Sequence, residues 1–104
     1  MNFDDFQRQS GALAAKGPGG VQRFQWTSKG LISSAGKIDR CLLNCAFDDL
    51  SLLDDDNAKK IAEEIGFVLW HCSVLADALD RRLDSIAQNH LQAMAAMLDT
   101  REEK

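Results

Sequence analysis

Three cysteines and a histidine are the first candidates for a metal site. Cys41 and Cys45 are four residues apart, so a helix would place them one turn from each other, and His71 precedes Cys72 on a second helical stretch. Four such N/S ligands could bind zinc if the two helices met. However, Cys45 and Cys72 fall on apolar stripes and no CxxC pair is present. We therefore expect reduced, buried and unreactive thiols.

A run of aspartates is the second candidate for metal binding. Residues 48–57 read DDLSLLDDDN. A calcium loop alternates its oxygen donors and turns at a glycine, and this segment does neither. The pattern favours a solvated acidic turn, with Asp55 or Asp56 capping the helix that follows.

The longest helical pattern covers residues 56–80, and we expect the rest of the chain to pack on it. Its apolar residues recur at spacings of three and four, which places them on one helix face. They are Ile61, Ile65, Val68, Cys72, Leu75 and Leu79. A stripe of this length requires burial against at least two other helices.

A second stripe predicts another long helix, with a cap at Thr27 or Ser28 and an end near Phe47. Its members are Leu31, Ala35, Ile38, Leu42 and Cys45. The connection to the next helix is short, so the two helices should be antiparallel neighbours at the centre of a four-helix bundle.

Two further helices complete the predicted bundle. The first covers residues 2–15 with Asn2 as its cap, and the Gly-Pro-Gly-Gly turn at 17–20 follows it. Residues 21–26 fit either a helical turn or an ordered loop. The last helix covers residues 83–100. Its apolar face consists of Ile86, Leu91, Met94 and Leu98.

Composition limits the class of function. The 104 residues predict a single domain, and 45% hydrophobic residues with one proline and no tyrosine favour an all-α fold. The net charge is −4 and no basic cluster exceeds a pair, so we expect no nucleic-acid partner. Without a basic, apolar leader or a run of about 18 apolar residues, we expect no membrane partner and a cytoplasmic location.

Two glycines lie inside strong helical patterns, where each costs about 1 kcal/mol of helix propensity. Close approach of two helices at Gly36 and Gly66 would explain them. The surrounding sequences are GLISSAGKI at 30–38 and EEIGFVLW at 63–70. They resemble the motif helices of MazG-like nucleotide pyrophosphohydrolases, in which GLxEExGE precedes ELGDxLW. The similarity extends to the opening MNFDDFQ and to LDSIAQNHL, where Asn89 matches a family asparagine.

The resemblance implies a helical dimer or tetramer that, in active members, hydrolyses nucleoside triphosphates to monophosphate and pyrophosphate. In that family an ExxE pair and an ExxD pair hold magnesium. This sequence has Ser34 and Lys37 at the ExxE positions, and Glu64 and Phe67 at the ExxD positions. One of the four metal ligands, Glu64, is therefore retained. Gln92 stands where a lysine would often contact phosphate.

We therefore expect a MazG-like protein that has lost magnesium-dependent hydrolysis and acts by binding a ligand or partner. Lys37 is predicted to lie opposite Glu64 as a built-in cation, while Phe67 fills the space of a lost carboxylate. Trp70 and Asn89 are possible ligand-binding residues, with a nucleotide-like small molecule as the possible ligand. No cofactor is expected, and magnesium belongs only to the active-enzyme alternative.

Two alternatives stay open. One is an active pyrophosphohydrolase with an unusual site, completed by carboxylates of a second subunit. The other is a helical interaction module unrelated to the family. In either case we expect a homo-oligomer, because apolar residues on exposed sides, such as Phe67, Trp70 and Val74, need cover that one chain of this size would struggle to give.

Overall fold

The computed structural model describes residues 1–43 and 54–102. In these ranges the chain forms four helices and no strand. They are α1 (Phe3–Ala14), α2 (Gly20–Leu43), α3 (Asp55–Ala78) and α4 (Leu83–Glu102). The all-α prediction is confirmed. None of the described helices is both long and apolar enough to cross a membrane.

Side-chain caps begin α1 and α3. Asn2 caps α1 as predicted, because its Oδ1 accepts a hydrogen bond from a backbone N–H in the first turn at 2.8 Å. Asp54 caps α3, with its Oδ1 accepting from the backbone N–H of Asn57 at 2.7 Å. The predicted caps Asp55 and Asp56 are therefore wrong. Both lie in the first turn, where their charges still favour the positive end of the helix.

The start of α2 differs from the prediction. Residues 21–26, which fitted either a turn or a loop, are helical, and α2 begins at Gly20 with a positive φ of 59°. Thr27 lies inside this helix, fully buried, and its hydroxyl donates to the carbonyl of Arg23 at 3.0 Å. Because that hydroxyl bonds back into the preceding turn, Thr27 is not an N-cap. The predicted end at Phe47 lies outside the described residues.

The third helix organises the described fold, as predicted. α3 contacts each of the other three helices and packs most extensively against α2. Its buried face differs from the predicted stripe, because Ile65 and Leu79 are exposed. The buried residues of α3 are His71, Ser73, Val74 and Ala76. The prediction that Val74 lies on an exposed side is therefore wrong.

The ring of His71 on α3 packs directly against Gly30 on α2. A Cβ at this position would overlap the ring of His71, lying 2.8 Å from Cδ2 and closer still to two other ring atoms. Thr27 and Ser34, one turn to either side, are both buried. The two helices thus meet through small and polar residues. Open space surrounds Gly36 and Gly66, so the predicted contact at those glycines is wrong.

Alanine substitutions at two glycines should have opposite effects. Gly30→Ala should lower the free energy of unfolding by about 1–3 kcal/mol, because the new Cβ must displace the His71 ring. Gly36→Ala adds a Cβ in open space and should raise this free energy by about 0.5–1 kcal/mol through helix propensity. Urea unfolding followed by circular dichroism measures both changes. Equal responses at the two positions would contradict the close approach at Gly30.

Candidate functional site

Two of the four positions that the MazG-like resemblance aligns with metal ligands form an ion pair between α2 and α3. The Nζ atom of Lys37 lies 3.7 Å from Oε1 of Glu64. The predicted placement of Lys37 opposite Glu64 is confirmed. The lysine side chain is 53% exposed and the glutamate side chain 13% exposed. Because the lysine is half exposed, solvent screens the attraction, and the pair contributes about 0.2–1 kcal/mol to stability. Its main effect is to position a positive charge beside Glu64.

The other two positions flank this pair differently. Ser34 lies one turn before Lys37 on α2 and is buried. Phe67 lies one turn after Glu64 but is 55% exposed, and it lines a separate cavity. The prediction that the Phe67 ring fills the space beside the pair is therefore wrong.

A small polar cavity of about 240 Å³ surrounds the ion pair. It is lined by Lys37, Arg40, Cys41, Asn57, Lys60, Glu63 and Glu64. Three cationic and two anionic side chains give it a positive balance, which suits an anionic group. Oε2 of Glu64 is buried and has no hydrogen-bond partner in the described part of the chain.

The donor set at the ion pair fits Mg²⁺ poorly. Magnesium takes an octahedral shell of oxygens, usually with carboxylates among them. Here the carboxylate of Glu64 faces an ammonium, and Ser34 offers only a neutral hydroxyl. Across residues 1–43 and 54–102, no group of three His, Cys, Asp or Glu side chains is placed to hold a metal ion.

The thiols are consistent with the expected slow reactivity where the structure describes them. Cys72 is a free thiol and is partly buried. Burial raises the pKa of this thiol, which lowers its thiolate fraction near neutral pH. Cys41 is partly buried on α2, and Cys45 lies outside the described residues.

A larger cavity of about 750 Å³, here called the aromatic cavity, opens beside α3. It is lined by Phe6, Trp26, Glu63, Gly66, Phe67, Trp70 and His71. Trp70 lies here as a candidate ligand-binding residue, whereas Asn89 is exposed on α4 and does not line this cavity. Gly66 has open space around it, so its missing side chain leaves room in the cavity.

Sequence reasoning missed the contributions from α1 and α2. Phe6 and Trp26 reach the aromatic cavity from these helices, and the sequence carries no signal that brings them to Trp70. Within α3 a signal did exist. Glu63, Phe67 and Trp70 follow at spacings of four and three, which places them on one face of the helix.

His71 connects the aromatic cavity to the contact between α2 and α3. It is 6% exposed, and its ring makes a T-shaped contact with Trp26, with centroids 5.4 Å apart. Its Nδ1 is buried and lacks a hydrogen-bond partner among the described residues. Desolvation by burial lowers the pKa of His71, so the ring is neutral at pH 7.

Comparison with known proteins finds similarity to "Gene 37 protein" of Mycobacterium phage L5. The two sequences are 24% identical over 79 residues, which cover 76% of this chain and 69% of the phage protein. No protein-family model and no solved structure matches the chain.

The stability of the protein should fall as His71 becomes protonated. Because the pKa of this histidine is lowered in the folded chain, the unfolded chain binds the proton more readily. The free energy of unfolding should therefore decrease as the pH falls from about 7.5 to about 5.5, through the ordinary histidine pKa near 6.5. Urea unfolding at a series of pH values measures this dependence.

Replacing His71 provides the control for this pH dependence. His71→Gln should flatten the dependence over this range. If the free energy of unfolding depended on pH equally in the wild type and in His71→Gln, other titrating groups would be responsible for the dependence.

Proposed function

We propose that this chain is a MazG-like helical protein that binds a nucleotide-like small molecule without magnesium-dependent hydrolysis. The observation that carries the proposal is the Lys37–Glu64 ion pair, with 3.7 Å between Nζ and Oε1. An ammonium occupies the position where the resembled family places a metal-binding carboxylate. A fixed monovalent cation can balance the remaining carboxylate, but it cannot bridge phosphate oxygens and a water molecule as Mg²⁺ does.

The two neighbouring cavities support binding of a nucleotide-like ligand. Glu63 lines both of them, so they lie side by side along α3. A planar base could stack on Trp70 or Phe67 in the aromatic cavity, and base–aromatic stacking contributes about 1–3 kcal/mol per base. A phosphate could then face Arg40 and Lys60 in the polar cavity. Metal is not required for either contact.

Intrinsic fluorescence tests this proposal directly, because both tryptophans of the protein, Trp26 and Trp70, line the aromatic cavity. Titration with AMP and with ATP should change the emission equally well with Mg²⁺ or with EDTA. Phe67→Ala should weaken binding about tenfold through lost stacking. Phe24→Ala provides the matched control, because Phe24 is an exposed aromatic residue that does not line the cavity.

The same samples test for hydrolysis. Incubation with a panel of NTPs and dNTPs and with Mg²⁺ or Mn²⁺ should release no pyrophosphate. Metal-dependent release would establish the active-enzyme alternative instead. If neither nucleotide changed the fluorescence, the proposal that the chain binds a nucleotide-like ligand would be wrong.

Reversing the charge at Lys37 should make the stability of the protein depend on Mg²⁺. Lys37→Glu places a second carboxylate opposite Glu64, so like-charge repulsion should lower the melting temperature. Millimolar Mg²⁺ should then raise it again, because a ligand that binds only the folded state stabilises that state. Lys37→Gln is the matched control and should show no magnesium response. If Mg²⁺ raised the melting temperature of the wild type to the same extent, the prediction that Lys37 acts as a built-in cation would be wrong.

A further inference from the structure

Aromatic rings dominate the wall of the aromatic cavity. Aromatic residues make up only 7% of the chain, yet both tryptophans and two of the five phenylalanines line this one cavity. The ring of His71 joins them, and the other described lining residues are Glu63 and Gly66. No aliphatic side chain is among the described residues that line it. This composition differs from that of an ordinary apolar pocket.

Several of these rings are open to a ligand instead of being packed in the core. Phe67 is 55% exposed and Trp26 is 42% exposed, while Phe6 and Trp70 are partly buried. Exposed apolar rings that converge on one concave surface are typical of a binding site. The volume of about 750 Å³ also lies within the range of small-molecule sites, about 300–1,000 Å³.

Glu63 gives the cavity a negative charge. It is the sole Asp, Glu, Lys or Arg among the described residues that line the cavity. Within residues 1–43 and 54–102, its carboxylate makes no ion pair. His71 adds no positive charge at pH 7, because burial lowers its pKa. The faces of aromatic rings are also electronegative, so the carboxylate and the rings both attract a cation.

We propose that the aromatic cavity binds an organic cation, either an alkylated ammonium group or an N-alkylated ring, with Glu63 as its counter-ion. This deepens the proposed function and rests on it for the other end of the ligand, whose phosphate faces the polar cavity. Glu63 lines both cavities, so the cation and the phosphate of such a ligand would lie on either side of this residue.

An organic cation fits the wall better than a neutral base or a metal ion. A neutral base can stack on the same rings, but it leaves the charge of Glu63 without a partner. A metal ion requires several oxygen, nitrogen or sulfur ligands, and the described residues provide no such group. Alkyl groups around a positive charge, in contrast, contact the rings directly and are attracted by their faces.

Choline tests the cavity without any phosphate. Its matched control is dimethylbutanol, the neutral isostere in which a carbon atom replaces the nitrogen. Fluorescence of Trp26 and Trp70 at constant ionic strength should give choline a Kd at least about tenfold below that of the isostere. Potassium chloride at the same concentrations should leave the emission unchanged.

AMP and methyl-AMP, methylated at N1 of the adenine ring, form a second matched pair. Methylation makes the ring cationic at pH 7, so methyl-AMP should bind about tenfold more tightly than AMP. A preference for the charged member in the choline pair alone would identify an alkylated ammonium as the cation. A preference in the nucleotide pair alone would identify an N-alkylated ring.

Two substitutions separate the charge from the rings. Glu63→Gln should remove most of the preference for choline and leave the Kd of the isostere unchanged. Asp56→Asn is its control, because Asp56 is an exposed acid on the same helix, about 10 Å further along the axis, and does not line the cavity. Phe67→Leu keeps apolar bulk but loses a ring, so it should weaken choline binding more than Phe24→Leu does.

The outcomes distinguish this proposal from the proposed function. Equal binding within both pairs, or a full preference for choline in Glu63→Gln, would overturn the proposal of a cation. If AMP still bound in the first case, the proposed function would stand. If choline were preferred and neither nucleotide bound, the cation site would be supported and the nucleotide-like ligand would be wrong. If no compound changed the fluorescence, both proposals would be wrong.

Discussion

The contact between Gly30 and His71 is the constraint on which the candidate site depends. Only a glycine leaves room for the imidazole ring, so this contact fixes how closely α2 and α3 approach. Lys37 lies seven residues after Gly30 on α2, and Glu64 lies seven residues before His71 on α3. Seven residues are about two helical turns, so antiparallel helices bring these positions together again. The observed ion pair is thus a geometric consequence of the Gly30 contact.

The contact between α2 and α3 consists of small and polar residues, which limits how much apolar surface the core buries. Thr27, Gly30 and Ser34 let the helices approach but bury little apolar area, and the buried hydrophobic residues of the described chain are Ala14, Val74, Ala76 and Leu83. At about 25 cal/mol per Å² of apolar surface, so few side chains provide little of the free energy that offsets chain entropy.

The helices, the Asn2 cap and the Lys37–Glu64 pair could be predicted because each depends on local spacing or on charge at known positions. The predicted cap of α3 was wrong because the adjacent Asp54, Asp55 and Asp56 can cap equally well. The predicted cap of α2 was wrong because residues 21–26, whose pattern was ambiguous, are helical and extend the helix back to Gly20. The predictions of which helix faces are buried were wrong for a different reason. A stripe at spacings of three and four, such as that of Ile65 and Leu79, looks the same whether its own chain or another covers it. Similarly, sequence alone could not distinguish Gly30 as the contact glycine from Gly36 and Gly66.

A lysine and a metal ion differ in what they can do with a phosphate. The ammonium of Lys37 contributes one positive charge and three donors, and its pairing with Glu64 is weak enough for an anionic ligand to compete. If Lys37 turned to a phosphate, the carboxylate of Glu64 would lose its cation while remaining mostly buried, which is unfavourable. Arg40 and Lys60, which line the same cavity, can face the phosphate instead, while Lys37 stays paired with Glu64. Because an ammonium does not activate water as a metal ion does, this arrangement agrees with the proposed binding of a ligand.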